Sequence, residues 1–319
     1  MPRDARFVGP VERLLYLRSL PGFVSLGASE LATIAYETRE RFFKRGQRLF
    51  TEGEAARAVH FLVEGRVSVR SQGRILQLIE PPYTVGFLPV LARGNQHVEA
   101  RVESDTLTLE LPAESVHDAF EDSFALLETG VRQLARQFAE VQRKLELRGL
   151  VERAPPVDTP YPEAELDLVE RLVALRRTGP YVAASLDSLT GLVRRMQEVR
   201  FEPGDVLWEE KDPSTYGIHV VHGTVMCVGD DGLRRFPMGP GSVIGYSETL
   251  GRIDRTYRAT AETRVVGLRG SQDAFLDTLE DNTDLGMAFM GFVSSMLLEL
   301  YRRLADDDEL AAEAVPSLA

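Results

Sequence analysis

The chain has 319 residues, 44% of them hydrophobic, with 37 basic against 49 acidic side chains and a formal net charge of -12. That length predicts about two domains with packed cores. So acidic a chain lacks the global positive field that draws nucleic acid, and its single cysteine, Cys227, excludes an internal disulfide framework and fits a reducing, cytoplasmic location.

The N-terminal stretch M-P-R-D-A-R-F carries no apolar signal core. Leucines at helical spacing predict a short helix over Val11–Leu20. A second helix is predicted over Ser29–Arg41, with Ser29 as its N-cap. Short alternating strands follow, among them His60-Phe-Leu-Val and Arg66-Val-Ser-Val-Arg, punctuated by Gly46, Gly53, Gly65, Gly73 and Gly86. Strands spaced in this way predict a small sandwich or barrel. Helices over Pro112–Phe120 and Ser123–Leu147 close the first half. Four prolines within Glu152–Pro162 forbid a continuous helix and predict an extended connector.

The same order then recurs. Val11-Glu-Arg-Leu returns 158 positions later as Val169-Glu-Arg-Leu, and the register holds for Phe23/Tyr181, Leu31/Leu189, Gly46/Gly204, Phe50/Trp208 and Gly65/Gly223. One inserted hairpin residue shifts it to 159 for Gly73/Gly232, Gly86/Gly245 and Ala100/Ala259. A repeat whose period is a whole domain is a tandem duplication. It predicts a first domain over 1–150, a linker over 151–163, a second domain over 164–304 and an acidic tail over 305–319. The second copy begins with a helix over Glu163–Arg177 and closes with helices over Ser271–Leu279 and Thr283–Leu304. The apolar run Gly286–Leu300 is shorter than the roughly 20 residues of a membrane span, so a buried helix and no membrane insertion are expected. Thr283–Leu304 is apolar over more than one stripe, which predicts a homodimer through that helix.

The stretch Val243–Ala261 breaks at Gly245 and leaves room for one helical turn over Ser247–Leu250. A glycine opening such a turn presents backbone N–H groups suited to an anion, and Arg255 stands ten residues on as a planar cationic fork. This stretch resembles the phosphate-binding cassette of cyclic nucleotide-binding domains, with Gly245, Arg255, Ala259 and Thr260 fitting the pattern. The helix–strands–helix order resembles that family over nearly the whole chain. The resemblance implies a mainly β fold with flanking α: two tandem jelly-roll-like β-barrels, each with N-terminal and C-terminal helices. It also implies a ligand site in the second domain formed by Gly245, Tyr246, Ser247, Glu248, Arg255 and Thr256, the last where cGMP-selective members carry a hydroxyl. The family's ribose-binding glutamate is replaced by Tyr246, and the nearest acid, Glu248, comes two residues late. The first cassette departs further. Phe87 follows Gly86 and is expected to plug the pocket from within, Gln96 stands at the arginine position with Arg93 three residues earlier, and Pro89 is expected to disturb the short helix.

The five histidines are His60, His97, His117, His219 and His222; none forms an H-x-H pair, and His219 and His222 are expected on opposite faces of a strand, so no metal site is read. The chain has no G-x-S-x-G, Walker lysine loop or C-x-x-C. No helix-turn-helix follows either closing helix, so DNA binding is not expected. The reading is a non-enzymatic cytoplasmic regulatory or scaffold protein with degenerate pockets, without a cofactor and acting through a protein partner. The alternatives are a sensor that binds a cAMP- or cGMP-like ligand in domain two and, more distantly, a cupin-like metal enzyme.

Overall fold

The computed structural model describes residues 9–20, 23, 26–94, 97–151, 161–182 and 184–306. Gln96, most of the proline-rich linker and the acidic tail beyond residue 306 lie outside the described residues.

The first repeat runs α1 (Pro10–Arg18), α2 (Ala28–Glu37), β1 (Arg39–Phe43), β2 (Arg48–Phe50), β3 (Ala58–Ser71), β4 (Arg74–Ile79), β5 (Tyr83–Val85), α3 (Phe87–Ala92), β6 (Glu99–Pro112), α4 (Ala113–Asp122) and α5 (Phe124–Leu147). The second runs α6 (Leu168–Arg176), α7 (Leu186–Arg194), β7 (Gln197–Phe201), β8 (Val206–Trp208), β9 (Tyr216–His222), β10 (Val225–Gly229), β11 (Arg234–Met238), β12 (Val243–Ile244), α8 (Tyr246–Gly251), β13 (Arg258–Ala261), β14 (Val265–Ser271), α9 (Gln272–Asp281) and α10 (Thr283–Asp306). The fold is β-sheet of the jelly-roll type with flanking helices, and the ladders do not close into one continuous barrel.

The chain divides into two compact units, Met1–Gly130 with Val293–Ala319, and Val131–Phe292. The division falls inside α5 and α10 rather than at the linker. In the first unit the six strands form one sheet ordered β1-β6-β3-β4, with β2 on β6 and β5 on β3. In the second they form two four-stranded sheets, β11-β10-β13-β8 and β12-β9-β14-β7.

The two repeats place their matched residues alike. Gly46 N donates to Val102 O at 2.8 Å, and Gly204 N donates to Ala261 O at 2.8 Å. Gly65 and Gly223 adopt φ of 96° and 83°, and a Cβ at either would run into the facing chain, at Asp105–Thr106 of β6 or at Thr263–Arg264 before β14. Phe23 packs edge-on to Phe61 at 5.4 Å, while Tyr181 packs on His219 at 5.5 Å. The recurring Val-Glu-Arg-Leu has a structural reason. Arg13 donates to Thr38 O, and Arg171 donates to Met196 O at 3.5 Å. Each arginine thus holds the carbonyl where the chain leaves its second helix for its first strand.

Several boundaries differ from the sequence expectation. The second helix ends at Glu37, because the Thr38 hydroxyl turns back to Ala35 O at 2.8 Å and Arg39–Phe43 pairs with β6. Ser29 lies inside α2, which is capped by Gly27. The matching position in the second repeat is Ser185, whose hydroxyl does cap α7 by accepting from Ser188 N at 3.1 Å. The first helix of that repeat starts at Leu168 behind a capping box formed by Asp167 and Glu170. Pro89 is accommodated as the third residue of α3, where its missing N–H is not needed.

Helix α10 is long and apolar enough, by length and composition, to cross a membrane. Its apolar side chains Leu285, Met287, Phe289, Met290, Val293, Leu297, Leu300 and Leu304 are nevertheless buried within the chain. Phe292, Met296 and Leu298 of the same helix are only half-buried.

Candidate functional site

Each cassette begins with a left-handed glycine, Gly86 at φ 95° and Gly245 at φ 76°, followed by a six-residue helix. The first helical bonds are alike, Val90 N to Gly86 O and Thr249 N to Gly245 O, both 3.0 Å. The side chains after these glycines leave the barrel interior. Tyr246 is buried over the facing pair Gly217/Gly270 of the β9–β14 ladder, where a Cβ on either glycine would strike its ring or hydroxyl. It packs edge-on to His219 at 5.0 Å and to Phe275 of α9 at 6.0 Å. Among the described residues its hydroxyl has no hydrogen-bond partner, and burial pushes its pKa up. Phe87 likewise packs on Phe120 of α4 at 6.2 Å, so it does not plug the pocket from within. A glutamate at position 246 would thus face α9.

Arg255, expected to close over a phosphate, is folded into the second barrel with 2% of its surface exposed. Its guanidinium lies 4.0 Å from the Trp208 ring centroid and 5.0 Å from that of Tyr216. It donates from Nη1 to Gly245 O at 3.0 Å and from Nη2 to Tyr216 O, while Nε has no partner among the described residues. Burial pulls its pKa down. A Cβ at Gly245 would run into this guanidinium and stand 3.1 Å from Trp208. The fork is committed to the carbonyls of Gly245 in the cassette and Tyr216 in β9.

The aromatic rings around it are satisfied in the same way. Trp208 Nε1 donates to Tyr257 O at 3.0 Å, the Tyr216 hydroxyl to Leu207 O at 2.8 Å, and Gly245 N to the Tyr257 hydroxyl at 3.0 Å. Phe236 stacks edge-on to Tyr257 at 5.4 Å. Trp208, Phe236 and Tyr257 form one buried cluster with Cys227 and Ala259, and Tyr216 packs against it. Sequence reasoning missed this filling set. Its signal was an aromatic excess in the second repeat: Phe50, Ala58, Gln77 and Val98 stand where Trp208, Tyr216, Phe236 and Tyr257 do. The ladders confirm two of these matches, with Phe50 opposite Ala100 as Trp208 is opposite Ala259, and Gln77 opposite Val69 as Phe236 is opposite Cys227.

The remaining second-cassette residues form a polar chain. The buried Glu248 carboxylate accepts from Ser247 Oγ at 2.9 Å and from Thr256 Oγ1 at 2.7 Å. Thr256 Oγ1 accepts in turn from Arg234 Nη2 at 3.2 Å, and Arg234 pairs with Glu146 at 3.1 Å and Asp230 at 3.2 Å. Among the described residues no group of three His, Cys, Asp or Glu side chains is placed to hold a metal ion.

A duplicated jelly-roll with a left-handed glycine and a one-turn helix at the same place in each copy defines a nucleotide-cassette architecture. The profile described as "Cyclic nucleotide-binding domain" matches residues 40–123 and 198–282, more than half of the sequence, and the chain belongs to that family. Among solved structures it is similar to the regulatory subunit of a cAMP-independent protein kinase A from Trypanosoma brucei, at 15% identity and a TM-score of 0.36, covering 88% of this chain and 91% of that one. It is similar to the corresponding subunit from Trypanosoma cruzi bound to guanosine, at 14% identity and a TM-score of 0.35, covering 97% and 92%. It is also similar to the N-terminal domain of a transcriptional regulator from Streptomyces coelicolor A3(2), at 27% identity and a TM-score of 0.36, covering 40% and 91%. No curated protein matches the chain.

Proposed function

We propose that the chain is a non-enzymatic regulatory protein that serves as a scaffold for a protein partner, and that its second domain holds its shape without a nucleotide. The observation that carries this reading is Arg255, which is buried on Trp208 and bonded to the carbonyls of Gly245 and Tyr216. A phosphate would have to draw this guanidinium off its aromatic stack and away from two satisfied carbonyls. Each lost hydrogen bond of a charged donor costs about 1.5–3 kcal/mol. The ribose hydroxyls would meet no free acceptor at position 246, because that side chain faces α9. Isothermal titration of the full chain with cAMP and with cGMP tests the proposal. No saturable heat is expected at millimolar ligand. Saturable heat that disappears in Arg255→Ala would overturn it in favour of a sensor in domain two.

A further inference from the structure

We infer that residues Val131–Leu147 of α5 are a strap across the second cassette, so that lifting the strap and loosening the cassette are one event. The inference rests on the reading that this barrel is closed by its own side chains. All of the contacts lie within the second compact unit.

The strap is fastened at three points. At the first, Arg136 Nε donates to Gly251 O at the end of α8. The backbones are close there: a Cβ at Gly251 would stand 3.3 Å from Arg136 N and 3.4 Å from its Cα. At the second, Arg143 Nε bonds both carboxylate oxygens of Asp230, at 3.0 and 3.1 Å, in the turn before β11. The third is the Glu146–Arg234 pair at 3.1 Å, with each side chain only 3% exposed.

Arg234 connects this third point to the cassette. It also donates to Thr256 O and Thr256 Oγ1, and Thr256 Oγ1 donates to Glu248 Oε1 in α8. Both limbs of the cassette, helix α8 and the segment around Thr256, therefore hang from the strap. Removing one member of a buried ion pair leaves an uncompensated charge, so the strap cannot leave without the Arg234–Thr256 segment rearranging to rehydrate Arg234. Asp230 alone, shared with Arg143, does not replace Glu146.

Hydrogen exchange on the full chain, without ligand, tests this apart from the nucleotide question. Two variants act at different points. Glu146→Gln removes the buried charge, and Gly251→Ala inserts one methyl between α8 and Arg136. In either, exchange in 136–147 and in 246–257 is expected to rise together by about tenfold or more, while β7, β9 and β14 keep their protection. A rise in 136–147 with the cassette unchanged would overturn the inference, and so would an equal rise over all strands of the unit. If one variant does not fold, the other carries the comparison. If neither folds, the strap is an inseparable part of the core and the inference falls. Saturable nucleotide binding in the titration would fail the scaffold reading alone and leave this exchange result standing.

Discussion

Arg255 separates the two uses of a cassette arginine. An arginine waiting for a phosphate is an exposed or half-exposed cation; this one is a packed side chain with two carbonyl acceptors. Arg255→Ala should therefore cost stability, about 2–4 kcal/mol, by opening a cavity beside Trp208 and removing two charge-assisted hydrogen bonds. Arg255→Lys should recover only part of the loss, since an ammonium cannot keep the planar stack. Urea denaturation followed by circular dichroism measures both; a variant as stable as the native chain would contradict the assignment. Tyr246 gives the opposite pair. Its hydroxyl is buried without a partner among the described residues, so Tyr246→Phe should leave stability unchanged or raise it slightly. Tyr246→Glu would bury a carboxylate between His219 and Phe275 and should destabilise by several kcal/mol rather than restore a ribose acceptor. Thermal melts of the two variants decide between a packing role and a vacant ligand position.

At the scale of elements, the repeat was legible because it rests on glycines at tight turns and on one arginine per copy that holds a helix-end carbonyl. Both features leave fixed marks in the sequence. The cassette turns were legible for the same reason: only the glycine reaches the left-handed conformation cheaply. Side-chain direction was not. Nothing in G-Y-S-E tells whether position 246 faces the barrel or α9, because that depends on Gly217 and Gly270 far along the chain. The α2 boundary failed because Arg39-Glu-Arg suits a helix locally, while β6 claims it as a strand partner. The capping box of α6 supplies an element-scale check: Asp167→Ala should cost about 1 kcal/mol, seen as a lower denaturation midpoint with the slope unchanged. Strands β3 and β9, which hold the same place in the two repeats, supply another. Burial pulls His60 down to about 4, with Arg41 adding to it, and His219 down to about 3, from 6.5. Both are neutral in the native chain, and below 6.5 the unfolded chain takes up protons that the native one refuses. Their contribution is complete above about pH 6.5 and is lost as pH falls toward 4, with a limiting slope of roughly 2.7 kcal/mol per pH unit for two protons. In denaturation series between about pH 5 and pH 7, His219→Phe should lower the slope by one proton's share, up to roughly 1.4 kcal/mol per pH unit; an unchanged slope would contradict the buried neutral state.

For the whole molecule, the two repeats have kept one architecture and filled it differently. The second barrel holds Trp208, Tyr216, Phe236 and Tyr257 where the first has Phe50, Ala58, Gln77 and Val98, and it adds Arg255, whose counterpart in the sequence is Gln96. A domain whose interior is filled by its own side chains needs no ligand to be ordered, and this is the central claim of the scaffold reading. The chain has one tryptophan, and it sits in that interior under the Arg255 guanidinium. Its fluorescence reports on the second barrel alone, without interference from the first. Titrating the native chain with cAMP and cGMP while following Trp208 emission and its quenching by acrylamide is the most direct test. The emission maximum and quenching constant are expected to stay fixed up to millimolar nucleotide; a saturable change in either, lost in Arg255→Ala, would instead mean that the second domain is a nucleotide sensor.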